Sequence, residues 1–289
     1  MEGKIDLHLH TTHSDGILSV KELMQKAIKS GLRAISITDH DTIDGYIEAK
    51  TLEEAKSLEV ISGIEISCFD HKQDYHLLGY CMDVHHTFLV RHLEVMRHDR
   101  ERRSLAIIEK LANLDIIISY EKLKEYANGA SITRPHIAEM LIREGYTQTL
   151  KEGFKRYLDK HKPAFEAKMK YTIQEGCELI HSCGGVAVIA HPKITYRHIA
   201  LPSYLGSLGV DGIEITHPTQ GRTVQTLYRQ YARRNGFVMT GGSDFHGSRI
   251  YDEKNFGRNY MTFPELDILK KRAGYWQSKQ IQQEKIAIS

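Results

Sequence analysis

The sequence predicts an α/β fold that carries a mostly helical insertion. Short apolar runs rich in β-branched residues alternate with helical patterns over most of the chain. This alternation is typical of parallel strands joined by crossover helices. The segment from about residue 87 to residue 170 differs, because it has long, charged helical patterning and few strand signals. With 41% of its 289 residues hydrophobic, the chain can bury a substantial core.

The predicted strands follow one another along the chain with helices between them. They cover residues 5–10, 34–38, 60–67, 76–80, 186–190, 212–216 and 238–240. A first helix is predicted over residues 21–30, because Ser19 is a good N-cap and Gly31 a natural stop. A second helix is predicted over residues 42–57. We therefore expect an α/β domain built from residues 1–86 and 171–289, and a helical insertion domain over residues 87–170.

The charge balance gives no global steering toward nucleic acid or a membrane surface. There are 39 basic and 37 acidic residues, a net charge of +2. A basic run over residues 97–103 could follow a nucleic-acid backbone, although such a run is more often a solvated helix face with internal ion pairs. The sequence leaves these two interpretations open.

The cysteines and the hydropathy indicate a cytoplasmic protein. Cys68, Cys81, Cys177 and Cys183 include no Cys-x-x-Cys pair, and a chain of this length does not need disulfides, so we expect reduced thiols. No apolar leader follows the first residues, and no apolar run approaches the ~18 residues of a membrane helix. We expect no membrane association, and no obligate protein partner is evident.

Histidine is unusually frequent, with 17 residues scattered along the chain. It is the commonest protein metal ligand. His8 and His10 are two residues apart on a predicted strand, so their side chains face the same side. Other histidines and carboxylates are expected at or near predicted strand ends, with Glu65 ending its strand and His76 opening the next. The full set of candidate ligands is His8, His10, Asp15, His40, Glu65, His76, His191, Asp244 and His246.

Ligands at the carboxyl ends of parallel strands are expected to meet on one face, where the active sites of α/β barrels assemble. A chance set of unrelated polar caps at so many strand ends is improbable. The donors are nitrogen and oxygen without sulfur, which suits manganese, zinc or iron. Nine ligands are too many for one ion but enough for two or three, with a carboxylate as bridge. Closely spaced ions of this kind are typical of phosphoryl chemistry.

These motifs resemble the polymerase and histidinol phosphatase (PHP) superfamily over nearly the whole chain. The resemblance is closest to the branch that hydrolyses nucleoside 3′,5′-bisphosphates and trims RNA from the 5′ end, the RNase AM branch. Residues 10–16 (HTTHSDG) and 133–138 (TRPHIA) carry this closer resemblance. It implies a distorted, seven-stranded TIM-like (β/α)7 barrel and two or three divalent metal ions, with manganese favoured.

The resemblance also implies a role for each ligand. The first metal would be held by His8, His10, Glu65 and Asp244. Glu65 would bridge to a second metal, which His76 and His191 would also hold. Asp15, His40 and His246 would hold a third, although many relatives have histidine in place of Asp15. We expect Asp39 to orient a ligand or relay a proton, and we assign catalytic roles to Asp39 and His191.

Substrate contacts are expected at the start of a helix in the insertion. Thr133 is a good N-cap, so Arg134 and His136 lie at a helix N-terminus that already favours an anion, and arginine adds bidentate phosphate geometry. A solvent-facing arginine is the alternative. Lys193, two residues after His191, could also contact phosphate. Relatives often carry Gly-Arg at this point, so the departure weakens any transfer of their phosphate contact.

The expected activity is metal-dependent release of phosphate from nucleoside 3′,5′-bisphosphates, with 5′-3′ exonuclease activity on short RNA or DNA as a second reaction. The expected partner is a nucleotide or oligonucleotide with a terminal phosphate. Histidinol-phosphate phosphatase and protein-tyrosine phosphatase of the same superfamily are the enzymatic alternatives. A non-catalytic regulatory PHP module is disfavoured, because such modules usually lose ligands and the ligand set here is complete.

Overall fold

The chain forms an α/β fold in a computed structural model that describes residues 3–70, 73–127, 132–169, 171–192, 201–249 and 251–288. Contacts divide it into two compact units. The first unit comprises Met1–Thr12, Gly16–Arg91 and Lys170–Ser289, and the second comprises His13–Asp15 and His92–Met169. The expected domain limits, residues 1–86 with 171–289 and residues 87–170, stay a prediction.

The described part of the first unit contains nine strands in two sheets. They are β1 Lys4–Leu9, β2 Leu32–Ile37, β3 Glu59–Ile61, β4 Gly63–Asp70, β5 Gln73–Tyr80, β6 Tyr171–Thr172, β7 Val186–Ile189, β8 Gly212–Thr216 and β9 Val238–Gly241. The smaller sheet has the order β1-β2-β3 and is parallel. The larger sheet has the order β6-β4-β5-β7-β8-β9. Two isolated parallel bridges connect the sheets: Leu9 of β1 pairs with Phe245, which follows β9, and His40, which follows β2, pairs with Glu65 of β4.

The prediction of parallel strands throughout was wrong at β5. This strand pairs antiparallel with both β4 and β7, whereas β7, β8 and β9 are parallel to one another. Only residues 71 and 72 separate β4 from β5. A connection that short can join antiparallel strands but cannot make the crossover that parallel strands need. The single strand predicted over residues 60–67 was also wrong, since β3 and β4 lie in different sheets.

Most helices of the first unit pack against the sheets. They are α1 Val20–Lys29, α2 Asp44–Thr51, a 3-10 helix at Glu53–Lys56, α7 Ile173–Ser182, α8 Leu201–Ser207, α9 Arg222–Asn235, α10 Asp252–Asn255 and α11 Phe263–Ile288. The capping at α1 is confirmed, because Ser19 and Glu22 form a reciprocal capping box and Gly31 follows with φ 77°. The continuous helix predicted over residues 42–57 is broken at Leu52, which has an extended backbone.

Buried side chains of the first unit form two apolar clusters. One joins α1 to the small sheet and includes Leu23, Met24 and Ile35. The other lies among β1, β7, β9 and α11 and includes Val188 and Leu269. Leu9, which follows His8, belongs to the first cluster, and Leu7, which precedes it, belongs to the second. Packing of these two residues therefore fixes β1, the strand that carries His8.

The second unit is helical, as its patterning predicts. Its elements are α3 Thr87–Ala112, whose first turn belongs to the first unit, α4 Tyr120–Ala127, α5 Arg134–Arg143, α6 Leu150–Gly153 and a π-helix at Phe154–Leu158. Its core includes Leu111, Leu123 and Leu141. In the basic run, Arg102 pairs with Asp99 at 2.8 Å and with Glu166 at 2.9 Å, which favours the interpretation as a helix face with internal ion pairs. None of the helices in the described part of the chain is both long and apolar enough to cross a membrane.

Candidate metal centre

Glu65 is the centre of a buried cluster of imidazoles in the first unit. Its Oε2 atom lies 3.3 Å from Nε2 of both His8 and His10, and 3.2 Å from Nδ1 of His40. Its Oε1 atom lies 2.9 Å from Nδ1 of His76 and 3.1 Å from Nε2 of His191. The two oxygens of one carboxylate therefore face two different sets of histidines, which is the arrangement of a bridging ligand.

Asp244 completes the first of these sets. Its Oδ1 atom lies 3.3 Å from Nε2 of His8 and 3.2 Å from Nε2 of His10. These are the same nitrogens that face Glu65. The potential ligand atoms of His8, His10, Glu65 and Asp244 all lie within 4.8 Å of one another, as do those of His40, Glu65 and His76.

These residues fit a divalent metal. Ligand atoms that share one ion at about 2.1 Å lie roughly 3.0 to 3.4 Å apart in octahedral or tetrahedral geometry, and most of the nitrogen–oxygen distances around Glu65 fall in that range. Nε2 of His8, Oε2 of Glu65 and Nδ1 of His76 are buried and make no hydrogen bond within the described residues. Buried polar atoms are rarely left in this state, so their lone pairs are suited to cations.

A third group of histidines lies beside the first two. Ligand atoms of His10, His40 and His246 lie within 4.8 Å of one another. The rings of His10 and His246 are 4.0 Å apart between centroids. Asp15 belongs to the second unit, and its expected place among these ligands stays a prediction.

The positions of Glu65 and His76 differ from the sequence expectation. Neither lies at a strand end, since β4 runs from Gly63 to Asp70 and β5 from Gln73 to Tyr80. Because β5 is antiparallel, its middle passes the same region that the parallel strands reach only at their carboxyl ends. His76 pairs with Ser67, two residues beyond Glu65 on the neighbouring strand. His191, Asp244 and His246 do follow the carboxyl ends of β7 and β9.

Opposite charges at close range dominate the electrostatics of this cluster. Burial alone would raise the pKa of Glu65, but His40, His76 and His8 hold it well below its usual value. Burial likewise opposes ionisation of Asp244, yet His8, His10 and His217 keep its pKa well below the ordinary range. For His8, desolvation is outweighed by Glu214, Glu65 and Asp244, which raise its pKa well above normal. The centre therefore holds anionic carboxylates that attract cations.

Glu214 supports the cluster and was missing from the predicted set. It is fully buried on β8, and its two oxygens accept separate hydrogen bonds, from Nδ1 of His8 at 2.8 Å and from the backbone N–H of His191 at 2.7 Å. The first bond fixes a proton on Nδ1 of His8, so Nε2, which faces Glu65 and Asp244, is the nitrogen that could bind a metal ion. A sequence signal existed, because an acid between Ile213 and Ile215 on an apolar strand must face inward with a partner.

Asp244 has further neighbours that the sequence did not identify. Its Oδ2 atom lies 3.4 Å from Nε2 of His217 and accepts a 2.7 Å hydrogen bond from Nη1 of Arg249. His217, which was not among the predicted ligands, is buried within the cluster. Asp244 has φ 51° and His191 has φ 31°, a region that non-glycine residues rarely adopt. Such strain concentrates at functional sites.

Asp39, which was assigned a catalytic role, lies outside these ligand groups. Asp39 is buried and accepts bonds of 2.7 Å from both the backbone N–H and the hydroxyl of Thr11. It thus fixes the loop that follows His10. Lys193 lies outside the described residues.

Arg134 and His136 lie in the second unit at the start of α5, where Thr133 occupies the predicted N-cap position. Nδ1 of His136 accepts the backbone N–H of Thr133 at 3.2 Å, so its other nitrogen carries the proton as a donor. Burial lowers the pKa of His136 despite the attraction of Asp15. Burial and the nearby charge of Arg134 also lower the pKa of Arg103 to about 10. Repulsion between the two guanidiniums thus contributes to the lowered pKa of Arg103.

Residues 6–187 match the PHP domain family. The chain belongs to that family. It is 34% identical to a 5′-3′ exoribonuclease of Haemophilus influenzae over 85% of this chain and 91% of that protein. It is 26% identical to a 3′,5′-nucleoside bisphosphate phosphatase of Chromobacterium violaceum, over 84% of this chain and 87% of the other.

A solved structure supports the same assignment. A protein of Bifidobacterium adolescentis described as a metal-dependent phosphoesterase superposes with a TM-score of 0.81 and is 26% identical, covering 93% of this chain and 96% of its own. The family membership, the relatives and the histidine–carboxylate cluster together identify the chain as a phosphoesterase enzyme.

Proposed function

We propose that this PHP enzyme releases phosphate from nucleoside 3′,5′-bisphosphates and removes nucleotides from the 5′ end of short RNA or DNA. The observation that carries the proposal is the Glu65 carboxylate, whose two oxygens face separate sets of imidazoles. The two relatives named for these activities support the substrate class, because each matches more than four-fifths of this chain.

The proposed ligands follow the groups around Glu65. His8, His10, Glu65 and Asp244 would hold the first ion, and Glu65, His76 and His191 the second. Asp15, His40 and His246 would hold a third. Manganese is the favoured ion, with zinc or iron as alternatives, since the donors are imidazole nitrogens and carboxylate oxygens. When bound, such ions activate water and neutralise charge on the phosphoryl oxygens.

The remaining residues would bind and orient the substrate. Arg134 and His136 would hold a second phosphate, the guanidinium through paired N–H groups and the imidazole through its protonated nitrogen. Two contacts hold the Arg134 side chain in place for this role. Its Nη1 atom donates to the Leu158 carbonyl at 3.3 Å, and its guanidinium lies 5.6 Å from the Phe154 ring centre. Asp39 would position the loop at Thr11 or relay a proton, and His191 would act beside Glu65. Lys193 would add a phosphate contact.

We also propose a barrel fold, domain limits and a cellular location that accompany this function. The strands would close into a distorted seven-stranded barrel, which the bridges Leu9–Phe245 and His40–Glu65 favour. Residues 1–86 with 171–289 would form the barrel domain and residues 87–170 the insertion. A cytoplasmic location is supported by the four cysteines, all of which are free thiols. The proposed partners are nucleotide or oligonucleotide substrates.

The test is phosphate release from 3′,5′-adenosine bisphosphate, p-nitrophenyl phosphate and histidinol phosphate with Mn²⁺, for wild type and Arg134→Ala. Hydrogen bonds to charged groups are worth ~1.5–3 kcal/mol, so kcat/KM for the bisphosphate should fall roughly 10- to 100-fold. Turnover of the aryl phosphate should stay within about twofold of wild type, because it has only one phosphate.

Arg143→Ala is the matched control, since Arg143 ends the same helix and is half exposed. It should leave all three activities unchanged. Equal losses on bisphosphate and aryl phosphate in Arg134→Ala would remove Arg134 from the substrate site. A preference of the wild type for histidinol phosphate would retain the metal centre and replace the proposed substrate.

A further inference from the structure

Arg249 occupies one face of the candidate metal centre in the first unit. Its Nη1 atom donates to Oδ2 of Asp244 at 2.7 Å and to the carbonyl of the same residue at 3.3 Å. Its Nη2 atom lies 3.1 Å from Nε2 of His246. The side chain is one-third exposed, so the guanidinium also has an accessible edge.

The hydrogen bonds of His246 determine its tautomer. Nδ1 faces the carbonyl oxygen of Asp244 at 2.9 Å. A carbonyl can only accept, so Nδ1 carries the proton and Nε2 carries the lone pair. The guanidinium of Arg249 can only donate, which gives the same assignment from the other side of the ring. Nε2 of the neutral imidazole therefore carries the lone pair that can bind a cation.

The loop that carries both residues holds them at this spacing. The buried carboxylate of Asp252 accepts the backbone N–H of His246 at 3.2 Å and that of Arg249 at 3.1 Å through the same oxygen. The arginine is therefore built into the loop beside the ligand.

One lone pair cannot serve a guanidinium N–H and a metal ion at the same time. Binding of an ion through Nε2 of His246 requires that Nη2 of Arg249 leave. The bond to Oδ2 of Asp244 can persist, because the His8 and His10 nitrogens approach the other oxygen of that carboxylate. The guanidinium would then present free N–H groups beside the centre, with geometry suited to a phosphate oxygen.

We propose that Arg249 exchanges partners: it holds the His246 lone pair in the metal-poor enzyme and binds a phosphate oxygen once metal has replaced it there. The proposal rests on the metal centre and phosphoester chemistry of the proposed function. It makes Arg249 both a competitor of the metal at His246 and a substrate-binding residue. Substitution of Arg249 should therefore raise the affinity for metal and lower the affinity for phosphate.

The test compares wild type, Arg249→Ala and Arg258→Ala by calorimetric titration with Mn²⁺, starting from metal-free protein. Loss of the competitor should tighten the weakest Mn²⁺ site of Arg249→Ala by roughly 10-fold or more, given the strength of a charged hydrogen bond. Inorganic phosphate is then titrated into the Mn²⁺-loaded proteins. Its affinity should fall roughly 10-fold in Arg249→Ala. Arg258→Ala removes the same charge from an exposed position nine residues later and should change neither value.

Tighter Mn²⁺ binding together with weaker phosphate binding supports the exchange, because a general loss of folding would weaken both. Unchanged or weaker Mn²⁺ binding in Arg249→Ala would overturn the competition, and unchanged phosphate affinity would overturn the second role. Neither titration uses a nucleotide. If both titrations give the expected differences between the proteins but the wild type does not hydrolyse 3′,5′-adenosine bisphosphate, the proposed substrate is contradicted. The partner exchange of Arg249 then still stands.

Discussion

Glu214 shows how a single residue outside the ligand groups can control them. Its carboxylate accepts from His8 through one oxygen and from the His191 backbone through the other. A glutamine at this position keeps the shape but has only one acceptor oxygen, so its NH2 group must face one of these two donors. We expect Glu214→Gln to weaken Mn²⁺ binding roughly 10- to 100-fold, as loss of a residue that orients a ligand usually does. Calorimetric titration of the metal-free variant measures this loss.

Glu178 provides the control for this substitution. It is exposed on α7 and accepts a hydrogen bond from Gln174, so Glu178→Gln should bind Mn²⁺ as the wild type does. Unaltered Mn²⁺ affinity in Glu214→Gln would show that the His8 ring is oriented by packing and not by its carboxylate partner.

At the scale of secondary-structure elements, the alternation of apolar runs with helical patterns predicted the positions of the strands better than their pairing. The runs around β1, β2, β7, β8 and β9 were recognisable because they are short and rich in β-branched and other apolar residues. The direction of β5 depends on a connection of two residues, which the pattern of apolar residues does not encode. His76 was therefore expected to open a strand, whereas it lies in the middle of an antiparallel one.

Asp211 joins three elements at the amino end of β8, away from the ligands. Its carboxylate accepts from the Ala187 backbone at 3.0 Å, His181 at 2.7 Å, Arg272 at 3.0 Å and Trp276 at 3.1 Å. Loss of one partner of a buried ion pair costs about 3 kcal/mol or more. We therefore expect Asp211→Asn to lower the Tm by roughly 10 °C, with kcat of the folded enzyme unchanged. Thermal unfolding by circular dichroism, with kcat measured below the transition, tests both expectations.

The effect of Asp211→Asn should also depend on pH. Burial would raise the pKa of Asp211, but His181, the Ala187 N–H and Trp276 hold it below its ordinary value of 3.8. A lowered pKa in the folded state means that the stabilisation is complete above that ordinary value and is lost as the pH falls through the lowered one. The difference in stability between wild type and variant should thus shrink as the pH falls below about 4. Asp267→Asn, at an exposed position on α11, should show no difference at any pH.

At the scale of the whole molecule, the ligand types could be predicted from the sequence because they occur in motifs near strand ends. The residues that support them could not all be predicted. Glu214 was detectable as an acid on an apolar strand, whereas Arg249 lies in a loop whose course depends on the buried Asp252. Contacts of that kind join residues through tertiary packing, so neither spacing nor hydropathy reports them.

The cluster around Glu65 predicts that metal binding stabilises the whole fold. Its buried carboxylates and histidines come from β1, β4, β5 and the segments after β7 and β9, so an ion held there would connect strands from both sheets. An ion that binds only the folded state adds RT ln(1 + [L]/Kd), about 2.7 kcal/mol at 100 times its Kd. We expect Mn²⁺ to raise the Tm by roughly 5–10 °C relative to protein in EDTA. Glu65→Gln should lose most of this increase because it removes the shared ligand, and an equal increase in that variant would place the stabilising ion elsewhere.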